Sequence, residues 1–455
     1  MAGLDPSRRQ MSASLVETAG PRTAAFVVAG VLLLLLIVVA LISTPAPATR
    51  TVGGAAVAVD PGADFTSAQI DRAQDLAAQV RPWSIGSLIG GVVVAGLLGF
   101  TTWGSLLIQR SAAAVGGSQR PWIELLVGGF VLLLVGRLAT MPLDAASRSP
   151  RVRIGLITQS WGAWLIDVAK SFGITVVVVL AVAALARALI LAFPVNWWIP
   201  AATGTAALVV ALSFVYPVVV EPLFNSFKPM PQGELRSSLI DLAERDGIAV
   251  QDVLVADASR RTTAVNAYVS GFGASRRVVV YDTLLERLDD DQVRSVVAHE
   301  LGHVKDADVR NGTLMGALGA AALVCLLAGL LSVPWILRRA GASSASDPGV
   351  LAFVLAVVML ASFVTLPVSG VVSRRIEARA DVHALDLTRD PATLVGMQRD
   401  LALANISDPD PPRWLYRFVA THPTAPERIA LARQWAASNA LAVPAPSVKP
   451  RKGIG

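Results

Sequence analysis

The chain has 455 residues, of which 54% are hydrophobic and only 16% are charged, whereas soluble domains carry about 25% charged residues. This composition excludes an ordinary soluble protein and indicates a polytopic membrane protein. The formal net charge is +6, but the basic residues are dispersed and mostly flank apolar runs, so the sequence does not indicate a nucleic-acid-binding protein.

The first apolar run covers residues 24–42, after a polar N-terminus (1–22) that is predicted to be disordered. A cleaved signal peptide is an alternative for this run. Its length of about 19 residues exceeds the usual signal-peptide core, so a retained membrane span is favoured. Six more apolar runs are predicted to span the membrane: 84–108, 122–141, 172–193, 201–220, 314–337 and 350–372.

Residues 221–310 differ from the flanking runs because charge rises and short alternating patterns occur. The sequence predicts an amphipathic helix at 234–246 and a strand at 253–256. A β-hairpin is predicted from strands 263–270 and 277–281, which flank a glycine-containing turn. This part of the chain is therefore interpreted as a soluble segment that contains catalytic residues.

The most specific local motif is His299-Glu300-Leu-Gly-His303, an H-E-x-x-H pattern. Two histidines four residues apart lie on one face of a helix and can hold one zinc ion. The adjacent Glu300 could act as general base towards water. Asp289 and Gln292 resemble a capping box, and no proline follows before Gly312, so the motif is predicted to lie in the middle of one helix.

A third metal ligand must come from a histidine or a carboxylate, because the single cysteine, Cys325, lies in an apolar run. Glu377 and Asp381 follow the seventh span and are four residues apart. Glu377 suits the two-His-one-Glu class of catalytic zinc sites, and Asp381 could hold a ligand histidine through its other ring nitrogen. The alternative is a solvated helix with Arg–Glu–Arg pairs.

Together these segments resemble the CAAX prenyl protease 1 family of integral-membrane zinc metallopeptidases, including its bacterial members. The resemblance covers about residues 65–435. Its motifs, in chain order, are Tyr216-Pro217, Pro222-Leu-Phe-Asn225, Asn266-Ala-Tyr268, Gly271-Phe-Gly273, Val280-Tyr-Asp-Thr-Leu284, Ala298 to His303, Ser373 to Asp381, Thr421-His-Pro423 and Glu427-Arg428. The resemblance implies a mainly α protein with about seven transmembrane helices around a chamber and a small α+β zincin-like metalloprotease domain.

The resemblance also assigns roles to residues outside the zinc motif. It implies that Asn266 and Ala267 lie on a strand that pairs with an extended substrate; a purely structural hairpin is the alternative. His422 could donate to the oxyanion of the reaction, or could simply precede a helix at Pro423. Arg428 is expected in an internal ion pair near the site. His383 is interpreted as structural, since it points away from the face that carries Asp381.

The predicted function is a membrane zinc metalloendopeptidase that binds one Zn²⁺ per chain and cleaves membrane-associated proteins or peptides. A transporter-like binding protein and a catalytically inactive scaffold are the alternatives. The catalytic side is predicted to face the cytoplasm of a bacterial cell, and a monomer is plausible. The predicted parts are a five-span membrane domain (23–220), the metalloprotease domain in two parts (221–310 and 374–438), spans six and seven (311–373), and a disordered tail (439–455).

Overall fold

The computed structural model describes residues 6–45, 58–271, 273 and 276–448. The outermost parts of the two predicted disordered ends (1–5 and 449–455) and most of the predicted hairpin turn lie outside the described residues. The first helix begins at Pro6, so the stretch predicted as a disordered N-terminus is helical from that residue onward. Residues 441–448 have no regular secondary structure, but this part of the predicted disordered tail is held on the fold, since Arg433 Nε donates to the Pro444 carbonyl at 2.9 Å and Arg399 Nη1 to the Ser447 carbonyl at 3.0 Å.

The described chain contains seven helices, or helical stretches, that are long and apolar enough to cross a membrane, as predicted. These candidate spans are Arg22–Ser43, Ser67–Gly99, Pro121–Arg153, Trp161–Ala192, Trp198–Leu223, Asp308–Leu331 and Val350–Thr388. A cavity of about 810 Å³ opens between the second, third, fourth and seventh of them. The predicted seven-span membrane architecture is therefore present, and four of its spans surround this cavity.

Among the described residues, the regular elements of the N-terminal half are all helical. Its α-helices are α1 Pro6–Ser43, α2 Ser67–Gly99, α3 Trp103–Ala114, α4 Pro121–Ile123, α5 Gly129–Arg153, α6 Trp161–Ala192 and α7 Trp198–Val215. Two π-helical turns extend these elements, Glu124–Gly128 between α4 and α5, and Tyr216–Val220 after α7. Short 3₁₀ turns lie at Pro61–Ala63 and Glu221–Leu223.

The second predicted span, 84–108, was wrong in both of its limits. Helix α2 begins at Ser67, where Thr66 and Gln69 form a capping box, and it passes through Pro82. It ends at Gly99 and is followed by a separate helix, α3. At Gly99 a β-carbon would lie 2.4 Å from the β-carbon of Ala356, so the glycine permits a close helix contact that hydropathy does not reveal.

The C-terminal half mixes strands and helices. The strands are β1 Phe227–Pro229, β2 Asp252–Ala256, β3 Ala267–Ser270 and β4 Arg277–Tyr281. The helices are α8 Glu234–Arg245, α9 Asp282–Arg287, α10 Asp290–Lys305, α11 Asp308–Leu331, α12 Pro334–Arg339, α13 Val350–Thr388, α14 Pro391–Ala404, α15 Arg413–Val419 and α16 Ala425–Ser438. A 3₁₀ turn lies at Ala258–Arg260.

The four strands form one sheet in the order β1-β2-β4-β3. β2 and β4 are parallel, while β1 pairs antiparallel with β2, and β3 with β4. The predicted hairpin is therefore present, with a first strand shorter than expected. β3 lies at the edge of the sheet, and among the described residues no strand covers its outer side.

The H-E-x-x-H helix is shorter than predicted. Asp289 and Gln292 form the expected capping box, but the helix ends at Lys305 rather than continuing to Gly312. Ala307 is left-handed, with φ of 55°, and α11 starts anew at Asp308. The motif therefore lies in the last turns of α10, and the turn directs Asp308 back towards it.

The two stretches predicted as the metalloprotease domain share one hydrophobic core. Leu239, Val297 and Leu301 pack in it with Leu385 and Ile429. The core also takes in Phe65, which precedes α2. Next to this core, Arg433 Nη1 donates to buried Asp64 at 2.7 Å. This ion pair joins α16 to the segment that precedes α2.

Candidate metal centre

Three side chains from two helices converge at one point of a cavity beside the sheet. His299 and His303 extend from α10, and Glu377 extends from α13, which continues beyond its membrane-spanning part. One ligand atom from each lies within 4.8 Å of the other two. The Nε2 atoms of the two histidines are 3.2 Å apart, and Nε2 of His299 is 3.3 Å from Oε2 of Glu377.

The opposite ring nitrogens of both histidines face carboxylates. Nδ1 of His299 lies 3.0 Å from Oδ1 of Asp381, and Nδ1 of His303 lies 3.0 Å from Oδ2 of Asp308. A proton on each Nδ1 satisfies its carboxylate and leaves the Nε2 lone pair facing the centre, which is the arrangement that metal-binding histidines require.

Each of these carboxylates is in turn held by an arginine. Arg428 Nε of α16 donates to Asp381 Oδ2 at 2.7 Å, and Arg379 Nη2 donates to Asp308 Oδ1 at 2.7 Å. Asp381 is fully buried, so its charge needs this partner. The predicted internal ion pair of Arg428 is thus present next to the metal centre.

The donor set fits a catalytic zinc site. Two neutral imidazoles and one carboxylate are the ligands of a known class of catalytic zinc centres, which leaves a fourth position for water or substrate. The carboxylates beside both Nδ1 atoms favour the required tautomer, and no thiolate takes part. The fit rests on the identity and orientation of the side chains.

Glu300 and His422 line the same cavity, which has a volume of about 620 Å³. Burial raises the pKa of the Glu300 carboxyl above its usual value, as expected for an acid in a poorly hydrated wall. The His422 side chain is 63% exposed, and its Nε2 lies 3.2 Å from Oε1 of Glu377. Both groups can therefore meet a molecule bound in the cavity.

Asn266 and Ala267, at the start of the edge strand β3, line this cavity as well. Ala267 pairs with Val280 on its inner side, and its outer side faces the open cavity. The structure thus brings all nine of the predicted site residues to one cavity or to its immediate support. His383 stands apart, with Nε2 2.9 Å from Oδ2 of Asp246, in keeping with a structural role.

Comparison with known proteins identifies the family of this chain. The model for peptidase family M48 matches residues 229–436, and the model described as CAAX prenyl protease N-terminal, five membrane helices, matches residues 130–226. The uncharacterized metalloprotease YhfN of Bacillus subtilis (strain 168) is 32% identical over 308 residues, which are 66% of this chain and 71% of that protein. The chain belongs to peptidase family M48.

Two further relatives agree with this assignment. A CAAX prenyl protease 1 homolog of Oryza sativa subsp. japonica is 32% identical to the M48 chain over 235 residues, 49% of this chain and 52% of that protein. The crystal structure of Ste24p from S. mikatae has the same fold, with a TM-score of 0.73 over 90% of this chain and 98% of that one, at 19% identity. The predicted family, fold class and enzyme class are confirmed: this M48 protein is a multi-pass membrane metallopeptidase.

Sequence reasoning did not single out Asp308, which holds the second histidine. It follows His303 by five residues, a spacing that brings two side chains together only if the helix ends between them. The acidic residues after the motif indicated a possible partner for His303. The prediction of one continuous helix placed Asp308 on another face, so the contact was not expected. Asn405, described below, had no local signal.

Proposed function

We propose that His299, His303 and Glu377 bind one zinc ion and that the protein hydrolyses peptide bonds of membrane-associated proteins or peptides. The observation that carries the proposal is the meeting of three metal-ligating atoms from α10 and α13 within 4.8 Å, with each histidine oriented by a carboxylate. When bound, zinc would polarise the scissile carbonyl and lower the pKa of a water molecule.

Glu300 is the proposed general base. Its carboxylate accepts a proton as water attacks the scissile carbonyl, and the carboxyl then delivers that proton to the departing amine. The raised pKa of Glu300 suits both steps, since the base must be ionised at first and must still release the proton later. His422, at the open side of the cavity, is placed to donate to the oxyanion.

The substrate is proposed to bind as an added strand along the outer edge of β3, at Asn266 and Ala267. Outward main-chain groups of Ala267 would hold an extended peptide without selecting its side chains, and Asn266 would lie beside the bound peptide. Several relatives are named CAAX prenyl protease 1; for this chain the proposed substrate class is wider, namely peptides that reach the cavity from the bilayer.

The catalytic side is proposed to face the cytoplasm, because Lys228, Arg374, Arg375 and Arg379 lie beside the ends of the fifth and seventh spans on that side. The two stretches 221–310 and 374–438 are proposed to form one catalytic domain, separated in the sequence by a membrane hairpin. A monomer would contain every residue that the proposed mechanism uses.

The test compares the wild type with Glu300→Gln in purified full-length protein. We expect the variant to retain zinc by elemental analysis and to cleave a reporter peptide about 10²–10⁴-fold more slowly. A chelator should abolish wild-type cleavage, and added zinc should restore it. A transporter or an inactive scaffold would show no chelator-sensitive cleavage, and an unchanged rate in the variant would reject Glu300 as the base.

A further inference from the structure

Along β3, residues whose main-chain groups bond to β4 alternate with residues whose main-chain groups point to the outer edge. Tyr281 N–H donates to the Asn266 carbonyl at 3.0 Å, and Tyr268 is opposite Val279. In an antiparallel ladder, residues paired in this way alternate with residues whose N–H and C=O point outwards. The outward groups therefore belong to Val265, Ala267 and Val269.

The first of these outward positions is already occupied by a side chain. Oδ1 of Asn405 accepts from Val265 N–H at 2.9 Å, and Nδ2 of Asn405 donates to the Val265 carbonyl at 3.4 Å. One carboxamide thus makes the two hydrogen bonds that a residue of a neighbouring strand would make. Any peptide that pairs with β3 must end its pairing before Val265.

Asn405 is also fixed by the helix and the loop to which it belongs. It is the C-cap of α14, where its N–H donates to the Leu401 carbonyl at 3.0 Å. The following loop, residues 406–411, contributes Ser407, Asp408 and Pro409 to the wall of the catalytic cavity. Asp408 is ion-paired with Arg81 of α2, so the loop is anchored to a membrane helix.

We propose that Asn405 is a specificity-determining residue, which closes the peptide-binding edge at Val265 and so limits how far a substrate extends to one side of the cleaved bond. The inference rests on the proposed peptidase function and on strand addition at β3. β3 already pairs antiparallel with β4, and antiparallel pairs predominate. In that direction the C-terminal part of the substrate runs towards Val265, so the limited segment is the one on the C-terminal side of the cleaved bond.

The experiment uses two peptide series that share one cleavable core. One series is lengthened on the C-terminal side of the cleaved bond and the other on its N-terminal side. Cleavage by full-length protein is followed by mass spectrometry, and kcat/KM is measured for each length. In the wild type, kcat/KM should fall sharply beyond a certain C-terminal length and should not depend on N-terminal length.

Asn405→Ala should remove that limit and raise kcat/KM for the longer C-terminal segments about tenfold relative to the shortest peptide, the effect expected from regained backbone hydrogen bonds. Asn405→Asp should keep the wild-type limit, because a carboxylate still accepts from Val265 N–H and still fills the edge. If Asn405→Ala fails to fold, as judged by its melting temperature and zinc content, Asn405→Ser replaces it, since a serine hydroxyl is too short to span both groups.

The matched control is Asn439→Ala. Asn439 is the C-cap of α16 and lies outside the cavity, so its replacement should leave the length profile unchanged. A uniform loss of kcat/KM in the Asn405 variants, an unchanged profile, or a limit on the N-terminal side would each overturn the proposal. The peptidase function itself is judged separately, by chelator-sensitive cleavage of the shortest peptide.

Discussion

At the scale of single residues, the candidate metal centre has two similar halves. In each half an arginine holds an aspartate, and the aspartate holds a ligand histidine by Nδ1: Arg428 with Asp381 and His299, and Arg379 with Asp308 and His303. The arginines neutralise aspartates that would otherwise be costly to bury. Each aspartate therefore favours a proton on Nδ1 of its histidine, which leaves Nε2 available for a metal.

The contribution of Asp308 can be measured by Asp308→Ala. We expect zinc affinity to fall about 10–100-fold, the usual effect of losing a hydrogen-bond partner of a ligand histidine. Zinc-buffered titrations of the purified protein would measure it. Asp347→Ala is the control, because Asp347 accepts from loop N–H groups near the other end of α13. Equal affinities for the wild type and Asp308→Ala would contradict the role given to this residue.

The pH dependence of activity should show the raised pKa of Glu300. Because the base must be ionised, kcat/KM should fall as the pH drops through that pKa, and burial places it above the usual 4.5. The acid limb of kcat/KM is therefore expected above pH 4.5.

Zinc content must be measured at every pH in this experiment, since protonation of the histidines also releases metal. Only the pH range in which zinc is retained reports on Glu300. An acid limb at or below pH 4.5 with zinc still bound would show that burial does not control this carboxyl.

At the scale of secondary structure, the site depends on how closely α10 approaches α13. Gly302 lies between the two ligand histidines in sequence, and a β-carbon there would be 3.1 Å from Cα of Ala380 and 3.1 Å from Cβ of His383. Those distances are tighter than ordinary van der Waals contacts. Glycine at this position thus allows Glu377, one turn before Asp381, to reach the histidines.

Gly302→Ala is expected to separate the two helices slightly and to destabilise the protein by about 1–3 kcal/mol, as overpacking usually does. Zinc affinity should fall as well, because the ligands come from different helices. Thermal unfolding in detergent and zinc titration would measure both effects.

Gly312→Ala is the matched control for this substitution. It lies in α11, and its added methyl group would meet no atom within 4 Å. Alanine favours a helix over glycine by about 1 kcal/mol, so this control should be neutral or slightly stabilising. Equal behaviour of the two alanine variants would mean that the α10–α13 contact does not set the ligand geometry.

At the scale of the whole molecule, the catalytic part is formed by two stretches of chain, one before and one after a membrane hairpin in the sequence. Helix α11 leaves the site at Asp308, and α13 returns to it at Glu377. The first span is fixed to the same region, since Arg379 donates to the Ser43 carbonyl at the end of α1. α1 also packs against α11, where Ala29 lies beside Cys325. The metal centre is therefore tied to three membrane helices.

The proposed orientation can be tested with single cysteines. Cys325 is fully buried, so it should give little background labelling. Ser344→Cys places a thiol in the exposed loop between α12 and α13, and Glu244→Cys places one on exposed α8 of the catalytic side. In intact cells a membrane-impermeant maleimide should label only the first, and permeabilised cells should show both. The reverse pattern would place the catalytic side outside the cell.

Much of the membrane topology and of the candidate site follows from the amino-acid sequence alone. The apolar runs identified all seven spans, because spanning a bilayer requires about 20 apolar residues in succession. The spacing of His299 and His303 placed both on one helical face, and the capping box at Asp289 fixed the start of their helix. The family motifs connected Glu377, Asp381 and Arg428 to that site across the chain.

The end of α10 and the surroundings of the candidate ligands, in contrast, depend on long-range contacts in the folded protein. The left-handed turn at Ala307 is accompanied by contacts of Asp308 with His303 and Arg379. Local helix propensity does not predict these contacts. The end of α2 depends on a close helix contact at Gly99. The closure of β3 by Asn405 joins residues 140 positions apart, and local patterns carry no information about such pairings, because their free energy comes from packing of the whole fold.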